Sequence, residues 1–166
     1  MKERLKFNGC LLLGTYLNNK RTPMTDKPIC RAEHINHVCI AVKDIDATLT
    51  LYETLFGVYS NGIEEIEDQG VRAALVRIGG SQLEFIQPID ETGGVARFIE
   101  SRGETVHHIC FEVDDLQAKL NVLDEQGIRL IDKEPRKGLS GMIGFLHPSS
   151  TGGVLYELVD RGTAQR

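Results

Sequence analysis

The chain contains itself twice. Ile35-Asn36-His37-Val38-Cys39-Ile40-Ala41-Val42-Lys43-Asp44-Ile45 lies over Val106-His107-His108-Ile109-Cys110-Phe111-Glu112-Val113-Asp114-Asp115-Leu116 without a gap, at an offset of 71 residues. The match runs on through Ala47/Ala118 and Leu49/Leu120. A second block, Gln82 to Ile86, lies over Leu155 to Val159 at an offset of 73. A repeat of this kind means that one supersecondary unit is used twice and that the two copies must bury a shared core.

Each copy has the same local reading. Residues 34–42 are apolar and rich in β-branched side chains over a strand's length. Asp44 then caps a helix whose Ile45, Leu49, Tyr52 and Leu55 fall on one face, and Gly57 ends it. Strands are predicted at 58–67, 71–78 and 82–88, with turns at Asn61-Gly62, Gln69-Gly70 and Gly79-Gly80. In the second copy, strand 106–113 leads to Asp115 and to a helix carrying Leu116, Leu120 and Leu123 that stops at Gly127. Strands follow near 128–132, 142–147 and 153–160. Val95, Phe98 and Ile99 suggest a short connecting helix that ends near Gly103. The expected fold class is α+β: two βαβββ modules (34–90 and 105–161) forming a curled mixed sheet around a metal-binding cleft. Residues 1–33 read as an N-terminal extension and 162–166 as a C-terminal tail.

The repeat also places chemistry. Each module has one His in its first strand, His37 and His108, and one Glu in its last, Glu84 and Glu157. A strand His or Glu taken singly is more often hydrogen-bonded or solvated than a ligand, but here both types recur at equivalent positions. Pseudo-two-fold pairing of the modules brings all four side chains to one point. Two imidazoles and two carboxylates suit a borderline divalent ion such as Zn, Ni, Co, Mn or Fe, and four ligands leave room for water or substrate. His107 points away from that site if its strand is regular, and reads as structural or as a support for the ligands. His34 and His147 have no repeat partner of the right kind.

Composition narrows the remaining classes. The chain has 166 residues, enough for one domain with a real core, and a net charge of −5. No basic face suggests nucleic acid, and no apolar run approaches a membrane span. Cys10, Cys30, Cys39 and Cys110 match no zinc spacing and read as free thiols of a reducing compartment. The first 23 residues carry Lys2, Arg4, Lys6, Lys20 and Arg21 against the single acid Glu3. They read best as a disordered tail before an alternative start at Met24, ahead of a presequence or an ordered arm.

With these residues in place, the chain resembles the vicinal oxygen chelate, or glyoxalase-like, superfamily, and more narrowly its methylmalonyl-CoA epimerase family. The stretches that carry the likeness are INHVCIAVKDID (35–46), EDQGV (67–71), LEFIQPI (83–89), HHICFEVDD (107–115), GIRLIDKEPR (127–136) and FLHPSSTGGVLYELV (145–159). The closing stretch and DKEPR are the more specific to the epimerases. The resemblance implies a divalent cofactor, cobalt first with Mn, Ni and Zn behind, held by His37, Glu84, His108 and Glu157. It implies a homodimer and an acyl-CoA substrate whose C2 proton is removed and returned to the other face through an enolate. Glu157 and Glu84 are then the candidate catalytic acid/base pair, one from each side. The location implied is cytoplasmic, or the mitochondrial matrix in a eukaryote. Two positions depart from the family pattern: Ala73 stands where some epimerases carry a further acid/base Glu, and Ser140 stands in the 136–143 loop where a His is usual. Arg136 and Lys137 in that loop are candidates for phosphate contacts, though more simply surface charges. The nearest rival is a glyoxalase I acting on a glutathione hemithioacetal. An extradiol dioxygenase is disfavoured by the second Glu, and a metal-free binding module leaves the four residues unexplained.

Overall fold

The computed structural model describes residues 28–164, so the expectations for the basic N-terminal segment and Cys10 lie outside the described residues. Strand β1 (His34–Ala41) runs into helix α1 (Ile45–Phe56). Asp44 caps that helix as the sequence predicts, its carboxylate accepting from the Ala47 amide at 2.9 Å. Gly57 closes it at φ 65°, a left-handed conformation that only a residue without Cβ adopts freely. Strands β2 (Glu64–Ile66), β3 (Val71–Ile78) and β4 (Ser81–Pro88) complete the first module. Helix α2 (Gly94–Arg102) connects it to the second. There β5 (Thr105–Val113) is followed by helix α3 (Leu116–Glu125), which Asp115 caps through the Ala118 amide at 3.2 Å. Strands β6 (Arg136–Gly138), β7 (Gly141–Leu146) and β8 (Tyr156–Asp160) end it.

The eight strands form one sheet in the order β2-β3-β4-β1-β5-β8-β7-β6. This order is its own mirror under exchange of the modules, with β1 and β5 antiparallel at the centre. Each central strand pairs in parallel with the last strand of its own module, β1 with β4 and β5 with β8. The sheet curls into a half-barrel. Helix α1 buries Ile45, Leu49 and Tyr52 against Val42, Ala74, Val76 and Phe85. Helix α3 does the same with Leu116, Leu120 and Leu123 against Val113, Leu146 and Leu158. Among the described residues no helix is long and apolar enough to cross a membrane.

Three predicted strands are corrected. The stretch 58–67 contributes only Glu64–Ile66, with a single bridge between Ser60 and Val76, because the Asn61-Gly62 turn falls inside it. The stretch 128–132 is not a strand but has one bridge, Leu130 to Leu146; the outer strand of the second module forms later, at Arg136–Gly138. Its ladder is interrupted where the Asp132 carboxylate, rather than a carbonyl, accepts the Phe145 amide at 2.9 Å. Ile128 and Leu130 pack into the α3 core instead. The last strand also starts later than expected, at Tyr156.

The two sheet edges approach each other across the open side of the curl. Gln69 Nε2 donates to the Lys137 carbonyl at 3.4 Å, and Leu139, in the β6–β7 turn, packs on the cluster of Cys39, Ala41, Val71 and Ala73. The turn of the second module therefore roofs part of the first.

Candidate metal centre

The sheet order places β4-β1-β5-β8 side by side, and these four strands supply one candidate ligand each. In register, Glu84 lies beside Cys39 on β1, and Glu157 beside Cys110 on β5. Across the central pair, His37 faces Cys110 and Cys39 faces His108. Side chains at these positions share the concave face. The four sequence-predicted residues converge. The Nε2 atoms of His37 and His108 are 3.2 Å apart. Glu84 Oε2 is 3.2 Å from His37 Nε2 and 3.5 Å from His108 Nε2. Glu157 stands 3.7 Å and 3.4 Å from the same two atoms. All four residues are at most 6% exposed.

This donor set fits a metal ion. His37, Glu84 and His108 offer donor atoms that all lie within 4.8 Å of one another, and the Glu157 oxygens stand 3.4 and 3.7 Å from the two imidazoles, so one ion at bond lengths of about 2 Å is within reach of these side chains. Two carboxylates packed together away from water repel each other unless a cation or a proton intervenes. In the metal-free protein, protons do so. Burial raises the Glu157 pKa to about 7 against the pull of His37, and the Glu84 charge adds to the rise. Burial works in the same direction on Glu84, but the hydrogen bond and charge of His37 hold its pKa down at about 2. Burial opposes charge on His37, yet the Glu84 hydrogen bond raises its pKa; His108, lacking that advantage, is pushed down to about 3 by burial.

Several neighbours were not assigned to the site by the sequence. Cys39 and Cys110, expected as free buried thiols, are both fully buried and free. The Cys39 thiol hydrogen-bonds Glu84 and the Cys110 thiol hydrogen-bonds Glu157, so each carboxylate rests on the thiol of its neighbouring strand. Burial and those carboxylates push both thiols well up, so they stay protonated donors. Their equivalence was visible in the repeat, where Cys39 lies over Cys110. Ser140, singled out only as a departure in its loop, is buried and its Oγ donates to Glu157 Oε1 at 3.2 Å. The expectation that His107 points away from the site fails. Its Nδ1 is 3.0 Å from His108 Nδ1, and its ring meets Phe98 edge-on at 4.7 Å. Ala73 is fully buried in the core and supplies no carboxylate. Arg136 is held by Asp132 at 3.2 Å and lies over the Phe145 ring, whose edge meets His108. His34 pairs with the buried Glu112 at 3.0 Å, away from the four-residue cluster, and His147 caps a turn through Ser149.

A cavity of about 590 Å³ opens on the same face, lined among others by Ala73, Leu75, Arg77, Gln82 and Leu139. Leu75 and Gln82 are the register partners of Glu84 and His37, so the cavity adjoins the cluster.

Known proteins share this architecture. Residues 36–145 match the Glyoxalase/Bleomycin resistance protein/Dioxygenase superfamily. The Ethylmalonyl-CoA/methylmalonyl-CoA epimerase of Cereibacter sphaeroides is 34% identical over 127 residues, 75% of this chain and 95% of that protein. The mitochondrial methylmalonyl-CoA epimerase of Bos taurus is 31% identical over 133 residues, 79% of this chain and 76% of that one. A solved variant of the Streptomyces coelicolor methylmalonyl-CoA epimerase, in complex with 2-nitronate-propionyl-CoA, superposes with a TM-score of 0.76 at 34% identity, covering 82% of this chain and all of that one. The chain belongs to the Glyoxalase/Bleomycin resistance protein/Dioxygenase superfamily and, within it, to the methylmalonyl-CoA epimerase family.

Proposed function

We propose that this protein interconverts the two C2 epimers of methylmalonyl-CoA at a divalent-metal centre formed by His37, Glu84, His108 and Glu157. The observation that carries the reading is the convergence of these four buried donors, one from each of four adjacent strands, at separations of 3.2–3.7 Å. A bound divalent ion supplies Lewis-acid stabilisation of the charge that develops on the thioester oxygen when C2 loses its proton.

The chain's own residues divide the proton work. Inverting C2 needs one carboxyl ready to take a proton on one face and one ready to give a proton on the other. Glu157 and Glu84 enter from opposite modules, and their environments push their pKa values apart, to about 7 and about 2. These values describe the metal-free centre, where Glu157 is the proton carrier; once an ion displaces that proton, the division of the two faces of C2 rests on the opposite modules from which Glu157 and Glu84 enter. Ser140 and Cys110 hold the Glu157 carboxylate, and Cys39 holds that of Glu84. Because Ala73 takes the place of a further carboxylate, Glu84 is left as the partner base. The adjoining cavity, with its apolar Ala73, Leu75 and Leu139, receives the acyl end of the substrate. The family resemblance further supports cobalt as the working ion, a homodimer as the working form, and a place in propionate metabolism, in the cytoplasm or the mitochondrial matrix.

The test is to incubate one C2 epimer of methylmalonyl-CoA with cobalt-loaded protein and follow the ratio of epimers by chiral separation. Approach to an equal mixture is expected; an unchanged ratio over many equivalents of enzyme-hours contradicts the reading.

Metal uptake is also expected to depend on pH. The metal-free centre holds protons on Glu157, pKa about 7, and on His37, raised above its ordinary value, and an ion must displace both. Affinity for zinc therefore rises with pH through about 7 and levels off above the folded pKa values. Calorimetry in buffers of different ionisation enthalpy should register net proton release at pH 6 and less at pH 8. Equal affinity with no proton release at either pH contradicts a metal-free centre that holds protons on Glu157 and His37.

A further inference from the structure

The strand register contains an irregularity that the repeat duplicates. Along the β1–β5 ladder, Ile35 pairs with Phe111 and His37 with Cys110, so Asn36 is an extra residue on β1. Farther along, Cys39 pairs with His108 and Ile40 with Val106, so His107 is an extra residue on β5. These are two β-bulges, each at the residue before a candidate ligand, and 71 residues apart like the ligands themselves. A bulge re-aims the side chain it carries. Here each bulged side chain turns back onto the imidazole that follows it. Asn36 Oδ1 lies 3.0 Å from His37 Nδ1, and His107 Nδ1 lies 3.0 Å from His108 Nδ1, with Asn36 3% exposed.

We propose that Asn36 and His107 are positioning residues that set the tautomer of the two imidazoles, each bulge delivering an acceptor to Nδ1 so that Nε2 is left bare for the ion. An amide oxygen only accepts, so His37 must carry its proton on Nδ1. His108 can present a bare Nε2 only by donating Nδ1–H to His107 Nδ1. That requires His107 to be the neutral tautomer protonated on Nε2. The reverse arrangement, His107 donating, puts the proton of a neutral His108 on Nε2, aimed at His37 Nε2 3.2 Å away, where it occupies the ion's place. Phe98 against the His107 ring fixes the plane in which that nitrogen accepts. Partners of this kind orient metal-ligating histidines and commonly account for 10–100-fold in metal affinity.

The inference rests on the metal centre of the preceding reading but not on its reaction, so it is tested with zinc and no substrate. In zinc-loaded protein with ¹⁵N-labelled histidine, two-dimensional NMR should show Nδ1 protonated on His37 and His108, and a bare Nδ1 with protonated Nε2 on His107. Asn36→Ala and His107→Ala should each weaken zinc binding 10–100-fold. The module symmetry makes a sharper claim: His107→Asn, which copies the first module's acceptor into the second, should hold affinity within about threefold of the parent, by restoring most of that factor. A protonated Nδ1 on His107 in the loaded parent overturns the inference, and that spectrum needs no variant to fold. Zinc binding unchanged in His107→Ala overturns it as well, while leaving the metal reading intact. Failure of the parent to take up zinc overturns both.

Discussion

Glu157→Gln is expected to abolish inversion at C2, lowering it by about 10²–10⁴-fold, while leaving the protein folded and able to bind metal more weakly through the amide oxygen. The sharper expectation concerns stereochemistry. If Glu157 and Glu84 serve opposite faces, the variant still has one working base. The epimer whose C2 proton faces Glu84 should then exchange with solvent deuterium without inverting, and the other epimer should not exchange. Glu84→Gln should show the opposite preference. The packing supports a self-sufficient Glu84, because its carboxylate is held by His37 at 3.2 Å and by the Cys39 thiol, neither of which depends on Glu157. Epimer-specific exchange is read by proton NMR in deuterium oxide. Equal loss for both epimers in both variants contradicts a two-base division, and unimpaired inversion in Glu157→Gln removes Glu157 from the chemistry altogether.

The largest expected effect on stability is that of Phe85→Ala. Phe85 is fully buried next to Glu84 in sequence, on the opposite face of β4, and its ring packs edge-on against Tyr52 of α1 at 4.7 Å. Removing the ring loses the transfer free energy of a large apolar side chain and leaves a cavity, together about 3–5 kcal/mol. The expected result is a large fall in the urea midpoint with an unchanged denaturant slope. Because the strand it anchors also carries a ligand, zinc should recover part of the loss: about 2.7 kcal/mol at a free concentration of 100 times the dissociation constant. A loss below about 1 kcal/mol would mean that the α1 face of the sheet is not packed as described.

What the sequence disclosed, and what it concealed, follows from which signals are local. Both ends of α1 and the start of α3 were legible because Asp44 and Asp115 make side-chain caps and Gly57 takes a left-handed conformation, all decided within a few residues. The four clustered residues were legible because the repeat supplied a second copy of each: convergence that no single strand could justify becomes an expectation under two-fold pairing. The outer strand at Arg136–Gly138 was misplaced because its position depends on a distant event, the Asp132 carboxylate taking an amide of β7 that a carbonyl would otherwise accept. His107 was misjudged for a related reason. Alternation of faces holds only in a regular ladder, and the bulge that breaks it is a property of the pairing between β1 and β5, not of either strand alone. The contact from Ser140 to Glu157 spans 17 residues and depends on the fold of the β6–β7 turn, so nothing in its local sequence marked it.

On this reading the cluster on β4-β1-β5-β8 abstracts the C2 proton of methylmalonyl-CoA in a metal-dependent way. The direct measurement is wash-in of solvent deuterium at C2, followed by NMR for the metal-free protein, for the same protein after addition of Co, Mn, Ni or Zn, and for His108→Ala under the same conditions. Exchange that requires the metal and is lost in His108→Ala is expected. Stoichiometric metal binding with no exchange under any of these ions would contradict the reading, and would redirect the search to hemithioacetal substrates at the same four residues.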